Sequence, residues 1–251
     1  MGVTTLRLPG FLIIGAMKSG TSSLHRYLGQ HPDVFVSKRK ELDFFSYRYE
    51  QGFGWYMRQF RAGVAGESSP NYLKLHLWPE TAERIHRHLP HARLICVLRN
   101  PIDRSLSHYL HGVWRGRTKR PFARAAAGDS NIVMTSRYGW QLGHYLKYFD
   151  PDQLLLVTTE QLRADPTGTT GRVLRFIGVD DRAPVDTSQR HNVTSANLAG
   201  AGKPVPADPS LVVEGGRVAL SPRERARLAE LFQPEVDQLR STWPRFPGWQ
   251  L

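Results

Sequence analysis

The sequence predicts an α/β fold with a central parallel sheet flanked by helices, and three apolar runs lead to this prediction. Residues 11–14, 93–98 and 154–157 are short runs dominated by Leu, Ile and Val. Continuous runs of this kind are typical of strands buried on both faces of a parallel sheet. Apolar residues at helical spacing follow each run, which gives the alternation that an α/β fold requires. The length fits one domain, residues 1–251.

The first strand leads into a glycine-bounded loop and then into a helix. Gly15 and Gly20 allow the backbone angles and the close approach that a ligand-cradling loop needs. Lys18 places a cation in the same loop. Three hydroxyl residues follow at the start of the helix, where the helix dipole stabilises an anion: Thr21, Ser22 and Ser23. The pattern therefore predicts a phosphate-binding loop similar to a P-loop.

The same loop almost matches the nucleotide triphosphatase motif G-x-x-x-x-G-K-[ST]. Thr21 follows Gly20 directly, so the lysine of that motif is missing, and Lys18 lies inside the loop instead. A cation at Lys18 suits transfer of a group from a phosphate leaving group. A P-loop-type nucleotide kinase or triphosphatase nevertheless remains an alternative.

A second strand-to-helix junction follows residues 93–98. Asn100 is a favourable N-cap and Pro101 a favourable first helical residue. Arg99 then lies at the carboxyl end of the strand, and Ser107 lies two turns into the helix. Ligands of open α/β sheets bind at the carboxyl ends of strands, so Lys18 and Arg99 together predict a ligand with two separate anionic groups.

Other segments carry weaker signals. Residues 66–72 are predicted to form a polar loop, and residues 189–216 form a long Gly/Pro-rich loop with the length of a binding lid. Ser221 opens a capping box for the last helix. The predicted buried stripe of that helix consists of Leu228, Leu231, Phe232, Val236 and Leu239.

Composition narrows the function classes. The formal net charge of +12 favours anionic ligands, and a basic nucleotide- or nucleic-acid-binding module is a second alternative. The basic residues are scattered and lack interleaved aromatic residues, so we expect no nucleic-acid partner.

A single cysteine, Cys96, excludes an internal disulfide, and no run of about 18 apolar residues occurs. We therefore expect a soluble cytoplasmic protein. The histidines lack clustered Cys or carboxylate partners, so no metal site is predicted.

Glu41 permits two interpretations. It follows Lys38, Arg39 and Lys40 and precedes an aromatic pair. Charge runs are usually solvated, which favours a surface carboxylate held by lysines. The other interpretation is a general base at the edge of a cleft.

Three motifs, in this order along the chain, resemble those of sulfotransferases that use 3′-phosphoadenosine 5′-phosphosulfate (PAPS). They are the loop of residues 15–23, the run Glu-Leu-Asp-Phe-Phe at residues 41–45, and Arg-Asn-Pro at residues 99–101 with Ser107. The resemblance is strongest to the branch that includes heparan sulfate sulfotransferase domains and soluble bacterial relatives. It extends over nearly the whole chain, from residue 11 to residue 249.

The resemblance implies a sulfotransferase fold and a role for each matching residue. The 5′-phosphosulfate would be held by Lys18, Ser19, Gly20, Thr21, Ser22 and Ser23. The 3′-phosphate would be bound by Arg99 and Ser107, and Tyr138 would pack near the adenine unless it belongs to the core. Glu41 becomes the general base, and Lys18 stabilises the leaving group.

The resemblance also implies the reaction, an in-line sulfuryl transfer. PAPS would be the donor, the product would be adenosine 3′,5′-bisphosphate (PAP), and no metal would take part. Two residues depart from the family pattern: Ser68 replaces a lysine, and Asp43 replaces a frequent histidine. The expected acceptor is a hydroxyl of a small sugar, a glycolipid or another metabolite, whose identity the sequence does not specify.

Overall fold

Five parallel strands form the central sheet of the computed structural model, which describes residues 8–61, 63–189, 207–215 and 217–251. Their order across the sheet is β2-β3-β1-β4-β5, and every neighbouring pair is parallel. The strands are β1 (Phe11–Gly15), β2 (Val34–Val36), β3 (Val64–Ser68), β4 (Arg93–Leu98) and β5 (Leu154–Thr158). The predicted central parallel sheet with flanking helices is confirmed.

The helices vary from one turn to 21 residues. They are α1 (Thr21–Leu28), α2 (Phe53–Met57), α3 (Thr81–His88), α4 (Pro101–Trp114), α5 (Phe122–Ala125), α6 (Asn131–Met134), α7 (Tyr138–Tyr145), α8 (Thr159–Ala164), α9 (Pro166–Ile177) and α10 (Pro222–Thr242). Strands β6 (Leu211–Glu214) and β7 (Arg217–Leu220) form a separate antiparallel pair. None of the described helices is long and apolar enough to cross a membrane.

The chain divides into two compact units. The first comprises Met1–Leu98 and Gln141–His191 and contains the sheet. The second comprises Arg99–Trp140 and Asn192–Leu251. The expectation of a single domain stays a prediction.

Helices α1 and α9 pack on one face of the sheet. Alternate strand residues face them, as the two-residue period of a strand dictates. This core is fully apolar and includes Phe11, Ile13, Leu24, Leu28, Ile95, Val97, Val157, Val173 and Leu174. Each buried aliphatic side chain of this type contributes about 1.5–3 kcal/mol of transfer free energy. The packing therefore fixes the junction between β1 and α1, where the predicted phosphate loop lies.

Strand β3 corrects the prediction of a polar loop at residues 66–72. The strand contains residues 66–68 of that segment. Apart from Val64 its residues are small or polar, yet it lies between β2 and β1 and is almost entirely buried. Gly66 faces Phe11, whose ring occupies the space that a Cβ atom at Gly66 would need. The register pairs Leu12 with Glu67 and Ile13 with Ser68, so Glu67 and Ser68 point to opposite faces of the sheet.

The second unit has its own apolar core. It is built around α4, α5 and α10 and includes Ile102, Leu110, Phe122, Val133, Leu228 and Phe232. Asn100 caps α4 as predicted, because its side chain accepts hydrogen bonds from the amides of Ile102 and Asp103. Ser221 caps α10 in the same way.

Two predictions for the second unit need correction or fall outside the described residues. Leu231 is 38% exposed and does not belong to the buried stripe of α10. The predicted loop of residues 189–216 contains strand β6, which contradicts a structureless loop over its whole length. Residues 190–206 and 216 of that predicted lid lie outside the described residues.

Candidate active site

The loop after β1 closes on itself before α1 begins. The Ala16 amide donates to the Val97 carbonyl at 2.7 Å, and the Ser19 amide donates to the Ala16 carbonyl at 3.3 Å. Lys18 and Gly20 both have positive φ, at 72° and 98°. A left-handed lysine is unfavourable, so the surrounding contacts hold it there. Lys18, Ser19 and Gly20 thus lie in the turn at the carboxyl end of β1, and Thr21, Ser22 and Ser23 form the first turn of α1.

Thr159 fixes this loop to the end of the neighbouring strand. Its hydroxyl lies 2.7 Å from the Ser19 carbonyl and 3.0 Å from the Leu98 carbonyl, so one hydrogen is shared between two acceptors. Leu98 is the last residue of β4, and Arg99 follows it directly. The sequence signal for this contact is limited to the polar residues at the end of β5, which carry no recognisable motif.

Ser19 itself carries an unsatisfied hydroxyl. The residue is fully buried, and its Oγ has no hydrogen-bond partner among the described residues. A buried hydroxyl without a partner costs about 1–3 kcal/mol. Because the start of α1 favours an anion electrostatically, an anionic oxygen at this loop would satisfy both the hydroxyl and the helix dipole.

Glu41 lies at the end of β3, the strand next to β1. Its amide donates to the Ser68 carbonyl at 3.0 Å. Its side chain is 49% exposed and makes a 2.8 Å ion pair with Lys40. Glu41 and Asp43 both have positive φ, at 65° and 54°, so the chain turns sharply around the buried Leu42. The turn presents the Glu41 carboxylate to solvent at the same edge of the sheet as the Lys18 loop.

A buried carboxyl group, Glu67, lies behind that turn, and the sequence analysis gave it no role. Its Oε1 accepts hydrogen bonds from the hydroxyls of Tyr72 at 2.6 Å and Tyr56 at 3.1 Å. Its Oε2 accepts from the Ser69 hydroxyl at 2.5 Å. Burial raises the pKa of Glu67 from 4.5 to about 7, against the opposing effect of these three hydrogen bonds. Ser69 and Tyr72 lie two and five residues after Glu67, so a Glu-x-Ser-x-x-Tyr spacing was the sequence signal for this cluster, whereas Tyr56 comes from α2.

Asp43 is the second buried carboxylate of this region. Its Oδ2 accepts from the Tyr47 hydroxyl at 2.9 Å, and its Oδ1 accepts from the Asn71 amide at 3.1 Å. Its own amide donates to the Ser69 hydroxyl at 2.9 Å. Burial also raises the pKa of Asp43. The aspartate therefore fixes the turn that carries Glu41.

Two further side chains of the first unit face this region. The Ser68 hydroxyl, on the face covered by α1, is buried without a partner among the described residues. Lys74 is buried, and its Nζ lies 3.3 Å from the Met17 sulfur in the loop. Sequence spacing did not indicate that Lys74 would approach the loop.

The second unit contains the other predicted ligand residues. Arg99 is half-buried, and its Nε has no partner among the described residues. Tyr138 is fully buried, and its hydroxyl donates to the Arg99 carbonyl at 2.9 Å. Tyr138 therefore supports Arg99 from the core. Ser107 lies two turns into α4 and is buried.

A fully buried arginine, Arg104, adds positive charge near Arg99. Its Nε donates to the Ser136 hydroxyl at 2.5 Å, and a second nitrogen donates to the Ile132 carbonyl. Burial lowers the pKa of Arg104 to about 10, which leaves it charged at neutral pH. Sequence analysis did not single out this residue.

Sequence comparison assigns the chain to a family. The sulfotransferase domain family matches residues 8–197. The chain belongs to the sulfotransferase domain family. A human protein named heparan sulfate glucosamine 3-O-sulfotransferase 6 is 34% identical over 186 residues, which are 69% of this chain and 53% of that protein. The chain thus spans about half the length of this relative.

Solved structures agree with this sulfotransferase assignment. A sulfotransferase from Alicyclobacillus acidocaldarius superposes with a TM-score of 0.75 at 27% identity, over 95% of this chain and 97% of that one. A mouse sulfotransferase complexed with PAP superposes with a TM-score of 0.53 at 15% identity, over 92% of this chain and 85% of that one. The second comparison shows the shared fold.

Proposed function

We propose that this sulfotransferase moves a sulfuryl group from PAPS to a hydroxyl of a small sugar, a glycolipid or another metabolite. The observation that carries the proposal is the shared edge of β1 and β3. The first strand ends in the Lys18 loop, and the second ends where the Glu41 amide is bound. A cation for a leaving group and an exposed carboxylate for a proton therefore lie at neighbouring strand ends.

Each of the two units contains described residues that suit one anionic end of the donor. The hydroxyl of Ser19 and the start of α1 suit the 5′-phosphosulfate, since both would otherwise lack an anionic partner. The buried Nε of Arg99 has no partner in the part of the chain that the structure describes, and Ser107 lies on the helix that follows it. These two residues bind the 3′-phosphate in the proposed complex.

The proposed reaction divides the chemical work between two side chains. The acceptor oxygen forms a bond to sulfur while the bond between sulfur and the bridging phosphate oxygen breaks, and PAP leaves. Glu41 takes the proton of the acceptor hydroxyl, a role that contributes about 10²–10⁴-fold. Lys18 neutralises the negative charge that develops on the bridging oxygen, which is often the largest electrostatic contribution in such sites.

Ligand-dependent stability tests the nucleotide site. PAP should raise the unfolding temperature, because a ligand that binds the native state stabilises it by mass action. ATP with magnesium and duplex DNA should have little effect. Arg99→Ala should abolish the PAP-induced shift, and the control Arg245→Ala, an exposed arginine of the same unit, should retain it. Stabilisation by ATP with magnesium alone would instead indicate a kinase or triphosphatase.

Turnover tests the proposed base. Sulfuryl transfer from labelled PAPS is measured on a panel of hydroxyl and amine acceptors. Glu41→Gln should lower kcat by about 10²–10⁴-fold and leave PAP binding unchanged. The control Glu80→Gln removes a carboxylate that is 56% exposed at the residue before α3 and should behave as wild type. Normal turnover by Glu41→Gln would exclude Glu41 as the base.

A further inference from the structure

The hydrogen bonds around Glu67 have a fixed direction. Two tyrosine hydroxyls and one serine hydroxyl point at its two carboxyl oxygens. Each hydroxyl has one hydrogen, and only the ionised carboxylate accepts all three without a competing hydrogen of its own. Burial raises the pKa values of Tyr56 and Tyr72 well above their ordinary value, so both remain donors at neutral pH.

The Ser69 hydroxyl connects Glu67 to the turn that carries Glu41. Because its hydrogen points to Glu67, its lone pairs accept the Asp43 amide at 2.9 Å. Asp43 lies two residues after Glu41, and both residues have the strained positive φ that needs outside support. The Glu41 amide bond to Ser68 is the second link to the same strand.

We propose that Glu67 is a positioning residue for Glu41, because its carboxylate orients the Ser69 hydroxyl, which holds the backbone of the Glu41 turn. This inference rests on the proposed role of Glu41 as the base. Glu67 is fully buried, so it acts through the placement of Glu41 and not on the acceptor itself.

Protonation of Glu67 reverses one hydrogen bond of the cluster. A carboxyl hydrogen makes one of the two oxygens a donor, and one of the three hydroxyls must then turn away. If Oε2 carries the hydrogen, Ser69 receives it, and its own hydrogen needs a new acceptor. Among the described residues, the charge of the Asp43 carboxylate further raises the pKa of Glu67. With a pKa of about 7, this change falls within the neutral range.

The first experiment measures kcat from about pH 6 to about pH 8 in wild type, Glu67→Gln and Ser69→Ala. In wild type, kcat should rise with pH as Glu67 ionises. Glu67→Gln imitates the neutral carboxyl, so kcat should fall about tenfold and this rise should disappear, while KM for PAPS and PAP binding stay unchanged. Ser69→Ala should show the same two effects. The control Glu83→Gln, whose side chain is 45% exposed on α3, should keep the wild-type profile.

The second experiment does not depend on sulfuryl transfer. Hydrogen exchange of the peptide that contains residues 41–46 reports the Asp43 amide directly. Its protection factor should fall below about pH 7 in wild type and should be low at every pH in Glu67→Gln and Ser69→Ala. If wild type transfers no sulfuryl group, the proposed function fails, whereas this measurement still tests the link from Glu67 to the turn.

Three outcomes would overturn the proposal. The first is a Glu67→Gln variant with wild-type kcat and an unchanged rise with pH. The second is a Ser69→Ala variant that keeps wild-type kcat and Asp43 protection, which decides the question even if Glu67→Gln does not fold. The third is an equal loss of PAP binding and kcat in both variants, since that would indicate a merely structural role.

Discussion

Replacing Glu67 by glutamine should change the pH dependence of stability, and the structure sets both the sign and the size of the effect. Burial raises the pKa of Glu67 from 4.5 to about 7 in the folded protein. The folded state therefore binds this proton more tightly than the unfolded state does. The neutral form favours folding, so its contribution is fully present below about pH 4.5 and is lost as pH rises through about 7. One pKa unit corresponds to about 1.4 kcal/mol, which gives a loss of about 3 kcal/mol over this range.

Urea unfolding of wild type and Glu67→Gln at a series of pH values measures this effect. Subtracting the two free energies of unfolding removes the contributions of the other carboxyl groups, including Asp43. The difference, wild type minus variant, should fall by about 3 kcal/mol between about pH 4.5 and about pH 8. The exposed control Glu83→Gln should give a nearly constant difference. A constant difference for Glu67→Gln would refute the reasoning, because Glu67 would then ionise as it does in water.

Three other substitutions test the packing that positions the site, each by urea unfolding. Gly66→Ala should lower the free energy of unfolding by about 1–3 kcal/mol, because the added Cβ overlaps the Phe11 ring. Combining it with Phe11→Leu should recover part of the loss. An unchanged free energy of unfolding in Gly66→Ala would contradict this contact. Arg104→Met should cost about 2 kcal/mol, since it removes the hydrogen bonds that the arginine donates to the Ser136 hydroxyl and the Ile132 carbonyl; wild-type stability would mean that the arginine is not held as described. Asn100→Ala should cost about 1 kcal/mol through loss of the α4 cap, and a loss below about 0.3 kcal/mol would contradict the capping contacts.

The sequence predicted the elements whose residues carry local signals. Strands β1, β4 and β5 are continuous apolar runs, and the start of α4 has both an N-cap residue and a proline. The Lys18 loop was predictable for the same reason, because its residues are contiguous in sequence and lie between two glycines. Local signals of this kind need no knowledge of distant partners.

Strand β3 could not be predicted because its stability depends on distant residues. The Phe11 ring fills the space that a side chain at Gly66 would need. The buried Glu67 carboxyl is satisfied by hydroxyls that only the fold brings together, one from α2 and two from the residues after the strand. Burial of Arg104 likewise depends on Ser136, 32 positions further along the chain. Residues whose role comes from tertiary partners carry no periodic pattern, so spacing arguments pass over them.

The double contact of Thr159 has a thermodynamic consequence for ligand capture. The Thr159 hydroxyl ties the turn after β1 to the last residue of β4. Because this contact uses only the protein's own groups, it restricts the turn independently of an anion and reduces the ordering entropy that is lost on association. In a Thr159→Val variant the loop after β1 would become ordered only when the ligand binds. Titration calorimetry should then measure a less favourable entropy of binding for the variant than for wild type.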